Sequence, residues 1–355
     1  MFRFSRKIIV LFMVFILVLG IVSGCNRGNS PTISNENTSN GGTENNSEKI
    51  VLKFAHDYTT NSPYHEAALK YKEILEEKTN GRIEVQIYPA QQLGSAREMI
   101  EGMQMGTIEM VWTPTAKYAG FDQKLTVLDL PFIFPSEDIM WEALEGEIGQ
   151  ELMAGLETIG IKGISFNAEG YKHFTADKPI KGPDFFKGMK IRTMEAPVIM
   201  AQFKAWGANP VPIDFAEVYN ALQQKVVDGQ ENPIISNHDM KFYEVQDWIT
   251  VADHAYLTYF LAASNKWFES LPKDLQDAVV EAGIEMREIH KVMTNEANEG
   301  YMKNMMNAGT QVYYMTPEEI ETLKELSKPV YVEFRDKIGG ELIDKLIKFG
   351  EERSK

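Results

Sequence analysis

The chain has 355 residues, 51 acidic and 36 basic side chains, a formal charge of −15 at pH 7, and 44% hydrophobic residues. An acidic surplus of that size argues against nucleic acid, whose phosphates need clustered lysine and arginine. Cys25 is the only cysteine and the six histidines lack metal-ligand spacing with a third ligand nearby, so neither an intrachain disulfide, a metal nor a cofactor is expected.

The N-terminal segment reads as targeting. Arg3, Arg6 and Lys7 precede an apolar run from Ile8 to Val22, and Ser23-Gly24-Cys25 follows. The run is shorter than the roughly 20 residues of a spanning helix. The placing of Cys25 resembles a bacterial lipobox, which implies a lipoprotein signal peptide over 1–24 and a lipidated Cys25. An ordinary N-terminal membrane anchor is the alternative, and both put the body outside the cytoplasm. After Cys25, residues up to 48 hold Pro31 and Ile33 as their apolar side chains. Such a stretch buries too little to offset its ordering entropy, so 25–48 is expected to be a disordered tether. The remainder, about 307 residues, is long enough for two domains around separate cores.

From Val51 the pattern alternates. "VLKFAHD" (51–57) and "IEVQIYP" (83–89) predict strands, with a helix over 64–81 between them that stops at Asn80-Gly81. A helix over 95–105, a strand over 108–113, a helix over 137–157 and a strand over 162–167 follow. Strands separated by helices imply a mostly parallel sheet covered on both faces. The polar stretch "EGYKHFTADKPIKGPDFFKG" has turn chemistry at Gly170, Asp177, Pro179 and Gly182-Pro183, and is the candidate crossing into a second domain. The second half predicts a strand over 188–193, helices over 195–204 and 215–225, and a long strand over 248–262. Residues 271–309 predict one helix of about 36 residues, roughly 54 Å long. That length would lie across both domains unless Gly300 kinks it.

Enzyme signatures are missing: there is no Gly-x-Ser-x-Gly elbow, Walker loop or Gly-x-Gly-x-x-Gly. In "KGMKIRT" (187–193), Lys190 and Arg192 share one strand face, and an isolated guanidinium there suits either a surface ion pair or an external anion. In "NPVPIDFAEVYNALQQKVVDGQENP" (209–233), two prolines lead an extended piece into a helix, and Asp228-Gly229 turns the chain. Asn232 before Pro233 suits a helix N-cap as well as a ligand contact. Phe215 suits core packing as well as a pocket wall.

That run, with "KFYEVQDWIT", "YPAQQLGSAREMIEGMQMGTIEM" (88–110) and "SLPKDLQDAVVEAG" (270–283), resembles the solute-binding proteins of tripartite ATP-independent periplasmic (TRAP) transporters, the DctP-like family. The similarity covers essentially the whole mature body. It implies an α/β, two-domain periplasmic-binding-protein-like fold with hinge strands and a long helix spanning both domains. Domain I is expected over 49–169 plus 259–297, and domain II over 170–258 plus 298–355. The implied function is a monomeric binding protein, not an enzyme, which closes around a small organic-acid anion (C4-dicarboxylate, sugar acid or keto acid). It would pass that anion to the small and large TRAP membrane subunits from the outer face of the cell membrane or the periplasm. A binding component of an ABC importer or a sensor kinase, and an extracellular enzyme acting on an organic acid, are the rival readings.

The resemblance also assigns residues. Arg192 matches the arginine that grips a substrate carboxylate, a task suited to a planar fork of donors. Asn232 matches the accompanying amide and Phe215 the aromatic lining. Lys172 stands where the family commonly has a second arginine, and lysine brings charge without the fork. Asp57, Thr113 and His254 complete the expected binding set. Ala96 and Pro114 replace acidic groups of the sialic-acid members, which disfavours that ligand.

Overall fold

The computed structural model describes residues 49–354; the expected signal peptide, Cys25 and the tether lie outside the described residues. The strands are β1 (Ile50–His56), β2 (Ile83–Tyr88), β3 (Met110–Pro114), β4 (Ile161–Tyr171), β5 (His173–Ala176), β6 (Lys190–Thr193), β7 (Asn209–Pro212), β8 (Gly229–Asn232), β9 (Trp248–Val251), β10 (Tyr256–Ser264) and β11 (Gln311–Tyr314). They form two sheets, ordered β2-β1-β3-β10-β4 and β11-β9-β5-β8-β6-β7. Every residue of β3 and β10 is buried, as their continuous apolar runs require of strands covered on both faces.

The sheets are mixed rather than mostly parallel. β1 pairs in parallel with β2 and β3, but β10 runs antiparallel to both β3 and β4. The reason is a double crossing. Only Lys172 separates β4 from β5, and only 252–255 separate β9 from β10, so two neighbouring segments of chain pass from one sheet to the other. The Lys172 backbone N–H donates to the Ala255 carbonyl at 2.8 Å and ties the segments together. The strand expected over 248–262 is therefore broken, and Asp253 in the break adopts a left-handed φ of 46°. Asp tolerates that conformation better than most residues.

The helix expected over 137–157 is also two helices, Glu137–Glu145 and Glu147–Glu157, split at an extended Gly146. A Cβ at Gly149 would lie 1.8 Å from the Leu144 carbonyl oxygen, so only glycine permits that fold-back. The helix expected over 215–225 contracts to a single turn at Phe215–Glu217 and the helix Val218–Gln223. Lys225 in the left-handed region, with φ 55°, ends it.

The long helix is present as Lys273–Asn307, 35 residues that run through Gly300 without interruption. It packs against β4 and the helix Pro63–Lys78 on the first-sheet side, and against the helix Ile234–Asp239 on the second. Two further helices, Pro317–Ile338 and Gly340–Arg353, escaped the pattern analysis. Their Val330, Phe334, Leu342 and Leu346 join the core cluster that contains Leu125, Met140 and Trp141. No helix among the described residues is long and apolar enough to cross a membrane.

Candidate ligand site

Arg192 lies in β6, between β7 and β8, and is 1% exposed, whereas Lys190 at the open end of the same strand stays in water. Its Nε donates to the Ile213 carbonyl at 2.9 Å. Nη2 is buried without a partner, and among the described residues no carboxylate forms an ion pair with this guanidinium. Burial pulls its pKa down to about 10, while the more distant charges of Glu231, Asp214 and Asp57 oppose the shift. The group remains a cation at neutral pH, and a buried cation without a bonded counter-charge is costly.

The first sheet faces it with aromatic and acidic groups. Phe215, directly after Asp214, meets the Tyr58 ring edge-on at 5.5 Å, and Tyr58 stacks on Tyr64 at 4.2 Å. Asp57 is 4% exposed; its Oδ2 accepts from Thr113 Oγ1 at 2.6 Å and its Oδ1 from Gln91 Nε2 at 3.1 Å. Burial raises the Asp57 pKa in spite of those bonds. Lys117, in the turn that follows β3, places Nζ 3.5 Å from Asp214 Oδ1 of the opposite sheet. Its pKa is lowered by burial first and by the charge of Arg192 second. A cavity of about 260 Å³ opens here, lined by Lys117, Asp214, Arg97 and Glu195. A groove of about 480 Å³ elsewhere is larger, but its charged residues Lys204, Glu333 and Lys337 are solvated and need no ligand.

Lys172 and His254 form a second cluster, in the double crossing. Lys172 Nζ lies 3.1 Å from Glu231 Oε1, and His254 Nε2 lies 2.5 Å from Glu231 Oε2; all three side chains are at most 2% exposed. Burial alone would raise the Glu231 carboxyl, but Lys172 and His254 together hold it down to about 2. The His254 ring stacks on Phe174 at 4.4 Å, and burial lowers its pKa. A third polar group closes the interface: Glu169 of β4 accepts from the hydroxyls of Tyr58 and Ser236. Burial raises its pKa to about 7, against the effect of those two bonds.

The expected site residues thus fall into two places. Arg192, Phe215, Asp57 and Thr113 lie at the facing surfaces of the two sheets, whereas Lys172 and His254 meet at Glu231. Asn232 is 3% exposed beside them, and its Nδ2 donates to Gln230 Oε1 at 2.5 Å. The following helix is capped by Pro233 without a side-chain bond, so Asn232 is not its N-cap. Lys117, Tyr58, Glu169 and Glu231 went unnoticed in the sequence. Tyr58 and Lys117 had a signal, their places just past the carboxyl ends of predicted strands, where α/β sheets collect ligands. Among the described residues no cluster of His, Cys, Asp or Glu is arranged to hold a metal ion.

Residues 54–337 match the sequence profile of DctP, family 7 of the bacterial extracellular solute-binding proteins. The chain belongs to that family. It is 36% identical over 298 residues to the C4-dicarboxylate-binding periplasmic protein DctP of Rhodobacter capsulatus, covering 83% of this chain and 90% of that one. It is 31% identical over 298 residues to the 2,3-diketo-L-gulonate-binding periplasmic protein of Escherichia coli, covering 84% and 87%. A TRAP periplasmic solute-binding protein from Shewanella oneidensis, solved with bound succinate, superposes with a TM-score of 0.82 at 31% identity over 85% of this chain and 99% of that one. The sugar acid binding protein of Advenella mimigardefordensis, solved with galactonate, gives a TM-score of 0.83 at 28% identity over 86% and 98%. The family 7 chain is accordingly a DctP-like TRAP solute-binding protein with the two-domain fold of that group. It is a binding protein for transport, not an enzyme.

Proposed function

We propose that this family 7 protein captures a small organic-acid anion outside the cytoplasm and delivers it to the small and large TRAP membrane subunits. The observation that carries this reading is Arg192, a buried cation whose Nη2 has no internal partner. A guanidinium so placed offers a carboxylate two parallel charge-assisted hydrogen bonds away from competing water. The succinate and galactonate bound by its solved neighbours support an organic acid as cargo.

Residues 49–169 plus 259–297 and 170–258 plus 298–355 are the two bodies that close, and the paired crossing at Lys172 and 252–255 is the hinge. Phe215 and Asp57 line the cleft, with Thr113 orienting Asp57, and Asn232 acts with Arg192. Lys172 and His254 serve the site through Glu231. The protein acts as a monomer, with Cys25 as its lipid anchor and the segment after it as the tether.

A thermal-shift screen against mono- and dicarboxylates, uronates and keto acids tests the reading. A ligand at a thousandfold excess over Kd stabilises by about 4 kcal/mol. Absence of a shift with every organic acid, together with a shift for a neutral or cationic solute, would overturn it.

A further inference from the structure

A single carboxyl group ties the two bodies together next to the hinge. Glu169, near the end of β4, is fully buried, and its Oε1 accepts from the hydroxyls of Tyr58 and Ser236. Those hydroxyls also meet each other at 2.7 Å. Tyr58 and Glu169 belong to the first body, whereas Ser236 lies in the helix Ile234–Asp239 of the second. Tyr58 thus touches the second body twice, at Ser236 and at Phe215. Glu169 Oε2 is buried without a partner, and among the described residues no cation forms an ion pair with this carboxyl. The groups that face it are acids and phenols. Asp57 follows β1, Asp239 ends the helix Ile234–Asp239, Tyr64 stands in the helix Pro63–Lys78, and Tyr256 and Tyr259 come from β10. The long helix adds only the uncharged Asn298, beside Gly170, and His238 pairs with Asp239 at 3.0 Å. Burial without a bonded cation pushes the Glu169 carboxyl up to about 7, against the effect of its two hydroxyl bonds.

We propose that Glu169 couples closure to a proton: water keeps it ionised in the open protein, and closing the cleft over the ligand makes it take up a proton. The proposal rests on the organic-anion reading and adds a regulation to it. Opening parts Ser236 from Tyr58 and Glu169 and returns the carboxyl to solvent, where it ionises above about 4.3. Between about 4.3 and 7 the closed protein therefore carries a proton that the open protein has lost. Lower pH in that window favours closure and tightens binding; above it the advantage is gone and cargo leaves more readily.

Calorimetry of the full-length protein in buffers of low and high ionisation enthalpy tests this at pH 6 and pH 8. The probes are galactonate and succinate, with succinate's own protonation subtracted. The unmutated protein is expected to take up about half a proton or more per ligand at pH 6 and close to none at pH 8. Its affinity is expected to be at least about threefold tighter at pH 6. Glu169→Gln should lose that uptake and the pH dependence with it; other titrating groups are common to both proteins, so the difference reports Glu169. Ser236→Ala removes a donor to the ionised form and should move the midpoint of the pH dependence upward. Equal uptake in wild type and Glu169→Gln, an unmoved midpoint in Ser236→Ala, or wild-type binding without uptake would each overturn the proposal and leave the organic-anion reading standing. Failure to bind any organic acid would remove both.

Discussion

Arg192 and Lys172 are both buried cations of the second-sheet region, and they differ in what neutralises them. Lys172 has an internal carboxylate, Glu231, at 3.1 Å, shared with His254. Arg192 has a backbone carbonyl and an unpartnered Nη2. A cation whose counter-charge is built in stabilises the folded chain, and one whose counter-charge is missing stabilises a complex. The arginine and the lysine thus divide recognition from architecture, and the divider is the position of one glutamate.

Stability measurements on the ligand-free protein break or sharpen this contrast. The largest effect is expected for Lys172→Met, which strands the Glu231 carboxylate and costs about 3–5 kcal/mol in denaturant unfolding. Lys172→Arg should restore most of it. Arg192→Met strands no carboxylate and removes an unpaired buried charge, so it should leave ligand-free stability unchanged or raised. Similar losses from both methionine variants would erase the contrast.

The two buried glutamates repeat the comparison with the sign reversed. Glu231, held at about 2, contributes stability above its unfolded pKa of about 4.3, and that contribution fades as pH falls toward 2. Glu169, raised to about 7 by burial without a bonded cation, binds a proton in the folded state that the unfolded state has lost, so its contribution fades as pH rises from about 4.3 to 7. Glu169→Gln should therefore gain about 1–3 kcal/mol over the wild type between pH 5 and pH 8. A pH-independent difference between the two proteins would contradict the assignment. Smaller still, His254→Phe removes one of the two donors to Glu231 and should cost about 1–2 kcal/mol at neutral pH, read in the same unfolding experiment.

Local signals explain what the sequence revealed. Strand–helix alternation marked both sheets, and a stretch without proline marked Lys273–Asn307. The helix Pro317–Ile338 escaped in spite of a local signal, the capping box of Thr316 and Glu319 with Pro317 in the first turn. Other features depend on distant partners. The break at 252–255 sits inside an apolar run and arises because β9 and β10 serve different sheets. Glu231 lies 59 residues from the lysine that it neutralises, and Lys117 lies 97 from Asp214. Arg192 stood out as an isolated guanidinium on a strand, and the resemblance gave it a role; Lys117 offered only its place after a strand, and its burial exists only where the two sheets face each other.

The central claim is that the missing counter-charge of Arg192 is the ligand's carboxylate. Calorimetric titration of wild type and Arg192→Ala with the organic acid that most stabilises the wild type is the most direct measurement. Affinity is expected to fall at least about hundredfold, with the ligand-free melting temperature preserved. Undiminished affinity in Arg192→Ala would place the carboxylate elsewhere and contradict the claim.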